Sequence, residues 1–211
     1  GLIMLQPDLG TGMILFISIL SIMFIAGVDS KFFLGGGILG VIGVVFLILI
    51  APYRMNRITS FLNPWNDELG TGFQIIQSLF AIGPGGLLGV GYLNSIQKHF
   101  YLPEPQTDFI FSIVAEEFGV VGTIVILTLF AIILIRGIKI SLHEENLFAK
   151  YLSFGLIFQL IVQVIMNLSV VIGLIPVTGV TLPFMSYGGS SLLTSLFAIG
   201  ILLNISSETK K

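Results

Sequence analysis

FIFSIVAEEFGVVGTIVILTLFAIILI, residues 109–135, is the stretch whose reading decides the fold. A helix needs about 20 apolar residues to cross a bilayer. Backbone N–H and C=O groups inside hydrocarbon must be satisfied within the segment itself, so a helix is the form expected here. Four further stretches have the same character, at 9–26, 32–51, 151–175 and 181–205. None alternates with a strand's period of two. The chain is therefore expected to be all-α, a polytopic integral membrane protein with five transmembrane helices in a single membrane domain over residues 1–211.

Composition agrees with that expectation. The chain is 55% hydrophobic and 9% charged, with a mean hydropathy of +1.05. A soluble domain carries about 25% charged residues. The net charge of −2, without a basic cluster, gives no footprint for nucleic acid. There is no cysteine, which excludes disulfides, thiolate metal centres and a cysteine nucleophile. The first residue is Gly1, within an apolar run. The chain thus reads as part of a longer protein, and no signal peptide can be argued either way.

Between the second and third spans lies one long polar interruption, residues 52–108, ending in Pro103-Glu104-Pro105-Gln106-Thr107-Asp108. Five spans place Lys31, Arg136, Lys139, Lys150, Lys210 and Lys211 on one side, and Arg54, Arg57 and Lys98 on the other. Excess Lys and Arg in short loops marks the cytoplasmic side. That puts the C-terminus in the cytoplasm and the 52–108 loop outside. Within the loop, 73–82 reads as a short amphipathic helix, with Phe73, Ile76, Leu79 and Phe80 on one face and Gln74, Gln77 and Ser78 on the other. Such a helix lies in the interface plane or dips back into protein. Gly83, Gly85, Gly86, Gly89 and Gly91 match no phosphate-cradle motif and read as turn glycines. Gly36 and Gly40, four apart on the second span, read as a close helix-packing stripe.

Ionisable residues within a span are costly and are functional candidates by default. The third span holds Glu116 and Glu117, and at about 100° per residue Asp108, Ser112 and Glu116 share a face. That face cannot meet lipid. Glu116 either serves chemistry or caps and pairs with a neighbouring element. Asp108 either serves chemistry or acts as a helix cap, a job Thr107 can also fill. The segment 173–191 places two prolines, four glycines and six hydroxyls at membrane depth, and Pro183 with Gly188-Gly189 should interrupt the start of the last helix. Irregular backbone at that depth must be buried in protein or line a cavity. The two polar segments are expected to build one cleft. Gln163 and Asn167, on the fourth span, line it or, more in keeping with their position, hydrogen-bond between helices.

Several motifs resemble one family. Gln6-Pro7-Asp8-Leu9-Gly10-Thr11 is one; Tyr101-Leu-Pro-Glu-Pro-Gln-Thr-Asp-Phe-Ile-Phe111, followed by Ala115-Glu116-Glu117-Phe118-Gly119, is another. Gly173-Leu-Ile-Pro-Val-Thr-Gly179, Leu182-Pro183-Phe184 and Ser186-Tyr187-Gly188-Gly189-Ser190 complete the set. Together they resemble the SEDS family, the shape, elongation, division and sporulation proteins RodA, FtsW and SpoVE, over essentially the whole chain. Asn63-Pro64-Trp65 and Ser95-x-Gln97-Lys98 are closer to the division and sporulation branch.

The resemblance implies the C-terminal half of a protein of about ten transmembrane helices in the bacterial cytoplasmic membrane. It also implies a peptidoglycan glycosyltransferase that polymerises lipid II into glycan strands on the outer face. Its implied partners are a class B penicillin-binding protein and division or sporulation membrane proteins. The family's essential aspartate falls on Asp108, and Glu104 and Lys98 match other sensitive positions. An inverting displacement of diphosphate by a sugar hydroxyl needs one general base and positive charge on the leaving group. Asp108 is the expected base, with Lys98, Arg54 or Arg57 on the diphosphate. Ser186, Tyr187, Gly188, Gly189 and Ser190 are further candidate substrate contacts, and Glu116, Glu117 and Asp8 are supporting groups. Alternatively Asp108 and Glu104 hold Mg²⁺ or Mn²⁺, whose hard character suits carboxylates. A lipid II flippase and a non-catalytic scaffold of the cell-wall machinery are the other functions to weigh.

Overall fold

The computed structural model describes residues 8–50, 52–67, 70 and 72–208, and every regular element among them is helical. In chain order these are α1 (Leu9–Ile25), α2 (Ser30–Ile50), α3 (Pro52–Leu62), α4 (Phe73–Ile82), α5 (Ile96–Phe100), α6 (Ile110–His143), α7 (Leu147–Val171) and α8 (Gly189–Glu208). Single 3-10 turns occupy Pro64–Asp67 and Gly83–Gly85. Helices α2, α6, α7 and α8 are long and apolar enough to cross a membrane, and α1 is a shorter apolar helix. The chain is an all-α, multi-pass membrane protein.

Two spans differ from their expected limits. Helix α6 runs on to His143, well past 135. Its 34 residues extend about 50 Å at 1.5 Å per residue, against about 30 Å of hydrocarbon. The end bearing Arg136 and Lys139 therefore projects beyond the apolar slab, and such residues continue a helix readily. Helix α8 starts at Gly189 rather than 181. Pro183 has no N–H to give, and the neighbouring polar groups are bonded elsewhere: Gln163 Nε2 donates to Thr181 O (3.0 Å), and the Leu182 N–H donates to Ser186 Oγ (2.7 Å). The long loop also contains α3 and α5, beyond the one helix expected there.

The glycine run has a larger task than turning. Helix α6 is broken at Gly119, whose φ/ψ of 61°/−156° is not helical. The break frees the carbonyls of Glu116 and Glu117 and the N–H groups of Val120 and Val121. The loop supplies partners for all four: Val90 N–H to Glu116 O (2.9 Å), Gly91 N–H to Glu117 O (3.1 Å), Val120 N–H to Gly86 O (3.0 Å) and Val121 N–H to Leu87 O (3.1 Å). Backbone lies directly on backbone. A Cβ on Gly85 would stand 2.1 Å from Ala115 O, and one on Gly89 would stand 2.1 Å from Glu117 O. The loop thus re-enters beside α6, about 14 Å along it from Ile110 by helical rise, with its polar backbone satisfied in protein.

Helix α4 seats against protein with residues from both of its predicted faces. Ile75, Ile76, Ser78 and Ala81 are its buried residues, while Leu79 and Phe80 point outward. Ser78 Oγ bonds Ser112 Oγ and Val171 O, both at 2.7 Å. The seated side is thus mostly apolar with one hydroxyl in it, while beside lipid Leu79 and Phe80 are free to face out. Close helix crossings follow the small residues. A Cβ at Gly137 would meet Ile157, one at Gly155 would meet Ile22, and one at Gly40 would lie 3.0 Å from the Phe16 ring. Gly36 sits looser, 3.9 Å from Leu20 by the same measure. Phe109, Phe111, Ile113, Val170, Val171 and Leu182 form the main core, directly beneath the end of the loop.

Candidate active site

Asp108 is the last residue but one before α6, between a loop and a fully buried Phe109. Phe109 occupies the N-cap position, and no side chain caps the helix. The capping alternative for Asp108 and for Thr107 is thereby removed. The backbone on either side of Asp108 is pinned. Asn167 Nδ2 donates to Asp108 O (2.8 Å), Ser186 Oγ donates to Thr107 O (2.5 Å), and the Tyr187 N–H donates to Gln106 O (2.7 Å). Its carboxylate, by contrast, makes no hydrogen bond among the described residues.

Three features surround that carboxylate. Gly179, at φ +75°, comes so near that its Cβ would stand 4.0 Å from Asp108 Oδ2. Arg57, on α3, anchors on the same turn by donating from Nη1 to Val177 O (3.0 Å). Glu104 closes the loop side, in the left-handed region at φ 51°, where a non-glycine residue costs about 1–3 kcal/mol. Pro105 disfavours the right-handed helical region for the residue before it. Thr107 completes the turn, its N–H donating to Glu104 O (3.3 Å) and its hydroxyl lying 3.2 Å from Glu104 Oε2. Burial pushes the Asp108 carboxyl above its ordinary value, the negative charge of Glu104 pushes it further, and the Arg57 guanidinium opposes both.

Comparison with known proteins agrees with this layout. The cell cycle protein family that comprises FtsW, RodA and SpoVE matches residues 1–211. The chain belongs to the FtsW/RodA/SpoVE family. It is 55% identical over 209 residues to the stage V sporulation protein E of Bacillus subtilis, covering 99% of this chain and 57% of that one. A probable peptidoglycan glycosyltransferase FtsW of Coxiella burnetii is 46% identical over 213 residues, covering 100% and 57%. Among solved structures, a peptidoglycan synthase complex in which polymerization and crosslinking are coordinated contains a chain with TM-score 0.77 and 34% identity, covering 99% of this chain and 58% of that one. The rod shape determining protein RodA of Thermus thermophilus gives TM-score 0.64 and 29% identity, covering 100% and 53%. The chain thus spans a little over half the length of the relatives it matches.

Two of the family motifs, 101–111 and 173–190, meet around Asp108, and the structure sorts the sequence candidates. Asp108, Glu104 and Arg57 come together. Ser186 and Tyr187 reach the Asp108 loop, the first through its hydroxyl and the second through its backbone, while the Tyr187 ring is exposed. Gly188 precedes α8, and Gly189 and Ser190 open it. Lys98 lies elsewhere, its ammonium 3.8 Å from Glu117 Oε1. Glu116 caps α5: its carboxylate accepts from Ser95 Oγ (2.6 Å), Ile96 N–H (2.9 Å) and Gln97 N–H (3.4 Å). Asp8 caps α1 by accepting from the Thr11 N–H (3.0 Å). Next to it, Gly10 lets α1 approach Thr178 and Val180 of the Asp108-facing turn. Gln6 and Pro7, the side chain of Arg54, and Lys210 and Lys211 lie outside the described residues. The sequence reading put the 173–179 turn at the cleft but did not single out Gly179 or Thr178 as site residues; Thr178 Oγ1 is buried without a partner among the described residues.

For a divalent cation the cleft offers two hard carboxylates, Asp108 and Glu104, and no cluster of three acidic or histidine ligands occurs among the described residues. Two carboxylates fit Mg²⁺, which keeps its waters and takes the rest of its shell from substrate phosphates.

Proposed function

We propose that this chain carries the catalytic end of a peptidoglycan glycosyltransferase, which polymerises lipid II on the outer face of the bacterial cytoplasmic membrane. The C-terminus of α8 then lies in the cytoplasm, and a class B penicillin-binding protein cross-links the product. The observation that carries this reading is Asp108 itself: a half-buried carboxylate, pinned through its backbone and without a hydrogen bond among the described residues, beside a guanidinium.

The acceptor sugar's 4-hydroxyl attacks the anomeric carbon of the donor. The bond to the polyprenyl diphosphate breaks, the diphosphate leaves with the electron pair, and Asp108 takes the hydroxyl proton. A carboxyl raised by burial is a better base near neutral pH than an ordinary one. Arg57 supplies positive charge where negative charge develops on the leaving group. In the alternative reading, in which Asp108 is a ligand and not the base, Glu104 and Asp108 would hold Mg²⁺ or Mn²⁺, which when bound would neutralise diphosphate charge. The site stands at the loop end of the helices because the substrate's prenyl tail stays in the bilayer.

Coupled transport, the flippase reading, requires titratable groups within the spans that are free to change partners. Of the two acidic residues within the described spans, Glu116 is fully engaged in capping α5 and Glu117 faces the Lys98 ammonium at 3.8 Å. The test is polymer formation from lipid II by the protein at its full natural length, with the cross-linking partner's own chemistry blocked. Asp108→Asn should lose activity by about 10²- to 10⁴-fold while melting like the wild type. Unimpaired polymerisation by that variant ends the assignment.

A further inference from the structure

Asn167 lies on α7 and is 1% exposed. Its Nδ2 donates to two backbone carbonyls, Asp108 O and Val180 O, each at 2.8 Å. These lie 59 and 13 residues away in the chain. Two carbonyl oxygens leave the amide one orientation, because an amide oxygen turned toward them would be repelled. Oδ1 accordingly faces away and has no partner among the described residues. A buried acceptor left empty is unfavourable, and the two donor bonds hold the residue in spite of it. The carbonyls joined in this way belong to the two walls of the cleft. One is Asp108's own. The other adjoins Gly179, which approaches the Asp108 carboxylate, and lies on the turn where Arg57 anchors through Val177 O.

We propose that Asn167 is the positioning residue for Asp108, its single amide fixing the carboxylate against the turn to which Arg57 is anchored. The inference rests on Asp108 being the reacting group. Asn167 acts through backbone and touches no substrate. Its loss therefore displaces the carboxylate without removing a binding contact, and a displacement of about 1 Å costs on the order of 10²-fold in rate.

The experiment measures lipid II polymerisation by the protein at its full natural length, with melting temperature followed in parallel. Asn167→Leu, which removes both bonds, should lower kcat by about 10- to 100-fold with KM within about twofold. Asn167→Ser, which keeps one donor, should fall between Leu and wild type; it decides the matter alone if Asn167→Leu does not fold. Gln163→Leu is the matched control. It removes a bond from the same helix to Thr181 O, the neighbouring carbonyl, without reaching Asp108, and should lower the melting temperature with kcat nearly kept. Combined with Asp108→Asn, Asn167→Ser should cause little further loss, since both act on one carboxylate. Folded Asn167 variants with wild-type kcat overturn the inference. So does a loss confined to KM, or an equal kcat loss in Gln163→Leu. If Asp108→Asn itself polymerises normally, the assignment of Asp108 fails, a result separable from any of these.

Discussion

Glu116 lies within α6 and Asp108 in its lead-in, only eight residues apart, yet their carboxylates are used in opposite ways. Glu116 accepts from a hydroxyl and two backbone N–H groups, all on or beside the first turn of α5. It is 2% exposed, and a buried carboxylate held by so many donors is part of the framework. At Asp108 the donors go to the backbone around the residue, and the carboxylate is left to the charges of Glu104 and Arg57. A buried ionisable group inside a membrane protein is thus not by itself evidence of chemistry. What separates the two acids is whether donors converge on the side chain or on the main chain that carries it.

If that contrast holds, the Glu116 region should answer substitution in stability and the Asp108 region in rate. The largest stability effect is expected at Gly89, where an added Cβ meets the backbone of Glu117 and φ is +81°. Gly89→Ala should cost at least about 4 kcal/mol, because backbone at the break cannot move aside without losing the bonds from Val90 and Gly91. A detergent-solubilised melt within a degree or two of wild type would show that the loop is not seated on α6 as described. Glu116→Gln is milder. It keeps the shape, loses the charge and turns an amide toward donors, at about 2 kcal/mol. Its folded fraction should polymerise with wild-type kcat; a rate loss without a stability loss would move Glu116 to the chemical side.

The Asp108 region is sharpened by pH. A base works in its ionised form, so activity should fall as pH drops through the Asp108 value, which burial and Glu104 raise and Arg57 lowers. Glu104→Gln removes a repelling charge and should move the acid limb of the rate profile down in pH. Arg57→Gln removes an attracting charge and should move it up. Both side chains are exposed, so the two shifts should shrink as salt is added. Movement of both variants in one direction would mean that the limb reports another group.

Much of this could be read from sequence, because hydrocarbon imposes strict rules on length and composition. The apolar spans and the polar interruption ending at Asp108 needed nothing more. Pro183 and Gly188-Gly189 announced that the last helix would start late, and Gly189 is where it starts. The break at Gly119 was hidden, since its four orphaned backbone groups are satisfied by residues 86–91, about thirty positions away, and no helical periodicity records a partner at that distance. The seating of α4 was not legible for a related reason: amphipathicity states which side differs, whereas the surroundings decide which side is inside, and Ile76 and Ser78, from its two predicted faces, are both buried. The two roles of Glu116 and Asp108 were equally illegible, as both stood open until Ser95 and the α5 N-terminus were found on one of them.

Lys98 is the residue on which the comparison turns most finely. It was expected on a diphosphate, yet its ammonium faces Glu117, which is 5% exposed and offers an Oε1 with no hydrogen-bond partner. At 3.8 Å the contact is long, and with Lys98 partly exposed its worth is about 1 kcal/mol or less. Lys98→Met should therefore lower stability slightly, chiefly by leaving Glu117 uncompensated, and Lys98→Met with Glu117→Gln should recover the loss, because removing both charges of a buried pair is often neutral. A diphosphate contact predicts otherwise: KM for lipid II rises in Lys98→Met and stays raised in the double variant. Recovery of stability with an unchanged KM would place Lys98 with Glu116 and Glu117 in the framework, leaving Arg57 as the cation beside Asp108 among the described side chains; a persistent rise in KM would extend that cleft down to the break in α6.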